Sequence, residues 1–161
     1  MNYNILITGS EGFIGKETTA YLQKLGYQIN GYDIMDGKND ITDFARLEET
    51  IQLKGINRIL HLAAVARFAE ADKNPKLALE INAVGTRNIA VIASKYHIPV
   101  VYASTGSVYM PITQDPPITE EFEAKGNSVY ACTKYMGELY IRESSAPWIV
   151  LRYAHLYGRE K

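Results

Sequence analysis

Apolar residues along this chain fall into two alternating rhythms. Short, nearly continuous apolar runs occur at 3–8 (YNILIT), 27–33 (YQINGYD), 57–63 (NRILHLA), 98–104 (IPVVYAS) and 148–153 (WIVLRY). Runs of this kind suit parallel strands buried on both faces. Between them, apolar positions recur at helical spacing over roughly 13–25, 43–54, 75–96 and 128–144. Gly26 closes the first of these helical patterns and Pro99 sits just past the third. The alternation predicts right-handed crossovers and a doubly wound parallel sheet in a three-layer α/β/α fold. The expected strand order is 2-1-3-4-5, with a crevice where the connections reverse, between the first and third strands. The link 34–39 (IMDGKN) is too short for a parallel crossover, so Asp40-Ile41 is expected to form a short bridge at most. The segment 110–127 carries three of the six prolines and no periodicity, and reads as one long functional loop.

Composition narrows the picture. With 161 residues, 47% hydrophobic and 22% charged, the chain can bury one real core. Seventeen basic and eighteen acidic residues leave a net charge of −1 with no basic stripe, which removes the electrostatic footprint of a nucleic-acid partner. One cysteine, Cys132, excludes an internal disulfide framework and a Cys-rich zinc cluster, and no metal-ligand spacing surrounds His61. No window approaches the ~20 apolar residues of a membrane span, and no signal-peptide core is visible, so a cytoplasmic protein is expected.

Two stretches carry candidate chemistry. In ILITGSEGFIG, Gly9, Gly12 and Gly15 lie between a buried strand and a helix. Gly9 can make a tight turn, Gly12 can admit a pyrophosphate, and Gly15 can let the helix pack close to the sheet. The helix N-terminus then meets the phosphates with free N–H groups and a positive dipole end. Asp33, 24 residues after Gly9, ends the second strand. Its carboxylate can accept ribose hydroxyls and would repel a 2′-phosphate, which favours NAD over NADP. The same residue could instead be a strand-end turn former.

The second stretch, SVYACTKYMGE, sets Tyr130 four residues before Lys134, on one helix face. The free tyrosine pKa of about 10 is too high for a base at neutral pH, and a nearby ammonium is expected to lower it. Tyr130 could then take a proton from a sugar hydroxyl while the neighbouring C–H leaves as hydride. Thr105 would present a hydroxyl to the same substrate oxygen, with Ser104 as support. His61 reads as a packed histidine, Asn82 as the donor or acceptor of a specific backbone hydrogen bond, Cys132 as a small packed thiol, and Glu138 as a helix salt-bridge partner of Lys134.

Taken in order, these pieces resemble the extended short-chain dehydrogenase/reductase family, in its NAD-dependent sugar epimerase/dehydratase branch. TGSEGFIG (8–15) is similar to its phosphate turn, which implies cofactor contacts from Gly9, Gly12, Phe13, Ile14 and Gly15. DI (40–41) resembles its adenine-contacting pair, Asp40 and Ile41. HLAA (61–64) resembles the strand end beside the cofactor and implies Leu62, Ala63 and Ala64. NAVGTRN (82–88) carries the helix-borne Asn82. ASTGSVY (103–109) resembles the strand with the catalytic Ser/Thr, YACTK (130–134) the Tyr-x-x-x-Lys, and LRYAHLYG (151–158) the segment opening the substrate half, with His155 where asparagine is usual.

The resemblance implies a Rossmann-like fold that binds NAD. Tyr130, Lys134 and Thr105 would be catalytic, and Tyr130, Lys134 and Asn82 would also touch the cofactor. Thr105 and His155 would touch a nucleotide-sugar substrate. It also implies a homodimer through the helices near 75–96 and 128–144, where Leu79, Ala83, Ile89, Val91 and Ile92 are spread around one helix. Members of this branch carry roughly as much chain again as a sugar-nucleotide lobe. Residues 1–161 are therefore expected to be the NAD-binding domain, with that lobe absent from this chain. Epimerase, dehydratase and reductase outcomes stay open, and so does an NAD-binding module without turnover.

Overall fold

The computed structural model describes residues 3–110 and 117–158. Residues 111–116 of the expected 110–127 loop lie outside the described residues. Five strands form one sheet: β1 (Asn4–Thr8), β2 (Gln28–Tyr32), β3 (Arg58–His61), β4 (Val100–Thr105) and β5 (Trp148–Tyr153). All pairings are parallel, in the order β2-β1-β3-β4-β5. This is the order and fold class expected from the alternating rhythm. Ile7 pairs with Gly31 on one side and Leu60 on the other, so β1 is buried at the centre of its half of the sheet.

The helices are α1 (Phe13–Lys24), α2 (Phe44–Leu53), α3 (Phe68–Lys73), α4 (Pro75–Leu79), α5 (Thr86–Tyr96) and α6 (Val129–Arg142). Their starts are set by local chemistry. Asp43 caps α2 by accepting from the Arg46 N–H. Asn74 caps α4 ahead of Pro75, and Ser128 caps α6 by accepting from the Ala131 N–H at 3.1 Å. The expected helix over 75–96 is present as one rod, but with a π turn at Glu80–Gly85 between α4 and α5. Helix α3 has no counterpart in the expected elements. At six residues it is too short for a clear apolar period.

The short link after β2 forms a single 3₁₀ turn at Ile34–Asp36, and Asp40-Ile41 forms no strand. The crossover-length argument therefore holds. Asn88 of α5 fixes this segment by donating to the Ile41 carbonyl at 3.0 Å and the Thr42 carbonyl at 3.2 Å. The core lies between sheet and helices. Leu6, Ile59, Val100 and Tyr102 from the sheet meet Leu47 and Ile51 of α2, Ile89 and Ile92 of α5, and Ile141 of α6. Among the described residues, no helix is long and apolar enough to cross a membrane.

Candidate functional site

The crevice expected between β1 and β3 is a cleft of about 960 Å³ at the C-terminal ends of the strands. It is lined by Gly9, Gly12, Phe13, Ile14 and Gly15 from the β1–α1 turn, by Asp33, by Asp40 and Ile41, and by Leu62, Ala63 and Ala64 after β3. Sequence had marked each of these as a cofactor contact.

Backbone sterics make the phosphate end. Gly9 has φ +70°, and a Cβ on it would lie 2.7 Å from the Ala63 nitrogen. Only glycine suits that conformation and that close approach. A Cβ on Gly15 would stand 2.1 Å from the Gly9 carbonyl oxygen, so the helix presses directly on the turn. Gly12 caps α1 with no side chain to satisfy the first N–H groups, which leaves the helix end available to an anion. Asp33, nearly buried, accepts from the Glu11 N–H at 2.9 Å and the Met35 N–H at 3.0 Å. Its turn-forming role is real, and its carboxylate also lines the cleft. The two roles raised by the sequence coexist. Asp40 forms an Asx turn on Thr42, with both the N–H and the hydroxyl of Thr42 donating to it at 2.8 Å.

A buried polar chain crosses behind the cleft. The Thr86 hydroxyl donates to the Asn82 carbonyl at 2.7 Å, so Thr86 must accept from His61 Nε2–H at 2.9 Å. His61 is then the Nε2–H tautomer, and its Nδ1 accepts the Thr8 hydroxyl at 2.7 Å. Thr8 in turn accepts from the Leu62 and Ala63 N–H groups, each at 3.2 Å. Burial holds the imidazole neutral by pushing its pKa down to about 3. His61 is thus the packed histidine that the sequence suggested, and it ties the glycine turn to α5. Asn82 is fully buried. It accepts from the Val65 N–H at 2.8 Å and donates to the Val65 carbonyl at 3.1 Å and to Thr133 at 3.1 Å. It acts on the cleft wall through Val65, with its backbone bond made in the loop after β3 rather than inside the sheet.

Side chains make a second cluster, outside the residues that line the cleft. Tyr130 and Lys134 lie on α6, and Thr105 ends β4. Tyr130 is half-buried and meets the Phe68 ring edge-on at 5.0 Å. Burial raises its pKa, opposed by the Thr105 hydroxyl within hydrogen-bonding reach. This differs from the expected lowering by Lys134, because desolvation of the phenol is the largest effect. Lys134 is itself buried, with Nζ 4.3 Å above the Tyr102 ring. Burial pushes its pKa down to about 7, and the charge of Glu138 opposes that.

Glu138 corrects an expectation. It is not a surface partner of Lys134 but is fully buried. Arg152 of β5 grips it with Nη2–Oε2 2.6 Å and Nε–Oε1 3.0 Å, Ser104 donates to it at 2.5 Å, and Arg142 approaches at 3.4 Å. A clue was present in the sequence, since Tyr130, Lys134 and Glu138 form a polar stripe at i, i+4, i+8 on a helix that must cover a sheet. Cys132 is also corrected. It is exposed, because two residues from Tyr130 on a helix is more than half a turn away. His155 is exposed beyond β5 and outside the cleft lining. Arg67, Glu70, Leu77, Ile81 and Leu156 also line the cleft and were not foreseen.

A parallel five-stranded sheet in this order, with its cleft at the first crossover, is a Rossmann-like three-layer fold. The chain belongs to the family described as the RmlD substrate binding domain, which matches residues 3–161, within the extended short-chain dehydrogenases/reductases. A dTDP-4-dehydrorhamnose reductase of Streptomyces griseus is 29% identical over 95% of this chain and 50% of its own length. The crystal structure of dTDP-4-dehydrorhamnose reductase from Bacillus anthracis in complex with NADP superposes with TM-score 0.91. It is 29% identical and covers 100% of this chain and 56% of that one. UDP-glucose 4-epimerase from Thermotoga maritima, solved with UDP-glucose, gives TM-score 0.88 at 28% identity, covering 96% of this chain and 56% of that one. The chain thus spans about half the length of the curated relatives it matches.

Proposed function

We propose that this chain is the NAD-binding part of a nucleotide-sugar oxidoreductase of the epimerase/dehydratase type, with Tyr130, Lys134 and Thr105 as its catalytic set. The observation that carries the reading is a juxtaposition. A glycine-walled cleft, with a Cβ-free cradle at Gly9, is tied by Asn82 from its wall at Val65 to Thr133 on α6, the helix that carries a buried lysine and a half-buried tyrosine. A module that only held a dinucleotide would have no use for that set.

The residues fit the dinucleotide. The uncapped start of α1 meets the diphosphate, and Asp33 meets the adenosine ribose and disfavours a 2′-phosphate. Bound NAD would supply a hydride acceptor. The Tyr130 oxygen accepts the proton of a sugar hydroxyl, and Thr105 Oγ1 donates to that same oxygen and orients it. Lys134 holds the nicotinamide ribose, and in its ammonium form favours the phenolate of Tyr130. Phe68 covers the edge of Tyr130 and keeps water from it. His155 belongs to the segment that faces the sugar nucleotide.

Fluorescence titration with NADH and NADPH tests the cofactor, and incubation of a form that carries the sugar-nucleotide lobe with NAD and a panel of UDP- and dTDP-sugars tests the chemistry; residues 1–161 alone should turn over no sugar nucleotide. NADH binding tighter than NADPH is expected. Tighter NADPH binding, or no binding of either, sinks the assignment.

The outer faces of the α4–α5 rod and α6 expose Leu79, Val84, Val91, Met136, Leu139 and Tyr140. So much apolar surface on two adjacent helices supports a homodimer through this face. Of the residues marked in the sequence, Leu79 and Val91 contribute, whereas Ala83, Ile89 and Ile92 are buried within the protomer. Light scattering at tens of micromolar should give twice the chain mass.

A further inference from the structure

We propose that Glu138 is the positioning residue of the proton-transfer site: its buried carboxylate is the counter-charge for Lys134, held in place by Ser104 and Arg152 at the end of the strand that carries Thr105. The inference deepens the reading of Tyr130 and Lys134 as a proton-transfer pair. Lys134 is almost completely buried, and the groups facing it are few. On α6 itself Glu138 stands one turn on and Tyr130 one turn back, and Ser104, which holds Glu138, is two residues along β4 from the Tyr102 ring beneath Nζ. From β4 it meets the ring of Tyr102, and from β3 the neutral His61. Arg152 on β5 adds a second cation, bound to the far side of Glu138. Glu138 therefore supplies the negative charge in that set.

Its position is built, not incidental. The carboxylate has no exposure, and both oxygens are engaged. Oε1 accepts from Ser104 and from Arg152 Nε, and Oε2 from Arg152 Nη2 at 2.6 Å. Two-point contact from a planar guanidinium fixes orientation as well as distance. Ser104 precedes Thr105 on β4, so the residue that orders Glu138 is the neighbour of the hydroxyl that meets Tyr130. Arg152 also donates to the Tyr109 hydroxyl at 2.6 Å and lies over that ring at 4.7 Å. Tyr109 meets Phe122 edge-on at 6.0 Å. One carboxylate thus joins the lysine, the strand end and the segment 117–127.

The test is to follow the Lys134 ammonium itself. Protein labelled with ¹³Cε-lysine, assigned with Lys134→Arg, is titrated by NMR, and NADH affinity is measured on the same samples. Wild type should titrate near 7. Glu138→Gln should lower that midpoint by about one pH unit, the size of losing a close opposite charge. Glu138→Asp should restore most of it. Arg142→Gln is a surface change that removes a cation competing for Glu138, and should raise the midpoint by roughly a few tenths of a unit. It serves if Glu138→Gln does not fold. A purely structural Glu138 would lower thermal stability and leave these midpoints where they are, which overturns the proposal. A shifted midpoint without NADH binding supports Glu138 and overturns the cofactor reading. An unshifted midpoint with normal NADH binding does the reverse.

Discussion

The glycine-turn cleft and the α6 cluster are built from different materials. At the β1–α1 turn the work is done by backbone: a positive φ at Gly9, a helix pressed onto a carbonyl at Gly15, and an uncapped helix start. At the α6 end it is done by side chains whose charges are held out of water: Lys134, Glu138 and Arg152. The first end depends on shape, and solution conditions hardly alter it. The second depends on a balance of burial against pairing. Its lysine sits with a pKa of about 7 and its tyrosine is raised, so its readiness changes with pH and with whatever charge arrives. A rigid socket and a tunable cluster are joined through Asn82, which holds Val65 of the cleft wall and Thr133 of α6.

The largest effect that would break this comparison belongs to the tunable end. In a form that carries the sugar-nucleotide lobe, Tyr130→Phe should lower turnover of a nucleotide sugar by ~10²–10⁴-fold and leave NADH affinity within about twofold, because only the hydroxyl goes. Equal losses in both, measured by steady-state assay and fluorescence titration, would merge the two ends into one. At the rigid end, Gly15→Ala drives a methyl into backbone 2.1 Å away. It should cost about 3 kcal/mol in chemical denaturation and abolish NADH binding.

His61 sharpens the contrast through pH. Its folded pKa of about 3 lies below the ordinary 6.5, so the unfolded chain binds the proton that the folded chain refuses. The stability it contributes is present above pH 6.5 and is lost as pH falls toward 3. Between pH 7 and pH 5 the loss should be about 2 kcal/mol. Urea midpoints at the two values check this, and His61→Asn should flatten the slope even if it lowers both. The smallest effect expected is at Asp33. Asp33→Asn keeps one of the two acceptors for the turn N–H groups while removing charge, and should shrink the preference for NADH over NADPH by roughly tenfold, about 1.4 kcal/mol.

How much could be read in advance followed the same division. The sheet order, the lack of a strand at Asp40-Ile41 and the residues that line the cleft at the glycine turn were legible, because glycine spacing, link length and apolar runs report backbone geometry directly. The tunable end was legible only as residue types. Tyr130, Lys134 and Thr105 could be named, but the direction of the tyrosine shift depends on how deeply α6 sits on the sheet. No spacing rule reports that depth. Glu138 was misread for the same reason. An i+4 rule gives a neighbour on a helix, while the partner it found, Arg152, arrives from a strand 14 residues on. Helix α3 escaped because six residues carry too little period, yet it brings Phe68 to Tyr130.

The π turn at Glu80–Gly85 has a consequence for phase. On an uninterrupted α-helix, Ile81 and Ile89 would point about 80° apart, at about 100° per residue. A π turn holds one residue more than an α turn, which cuts the difference to about 20°. Both side chains accordingly pack against the same core. Leu77, ahead of the slip, and Ile81, in its first residues, still reach the cleft wall. The extra residue works like a leap day. It returns the rod to register with the sheet beneath it, and removing one residue from 80–85 should turn either the cleft-facing half or the core-facing half by about a quarter of a turn.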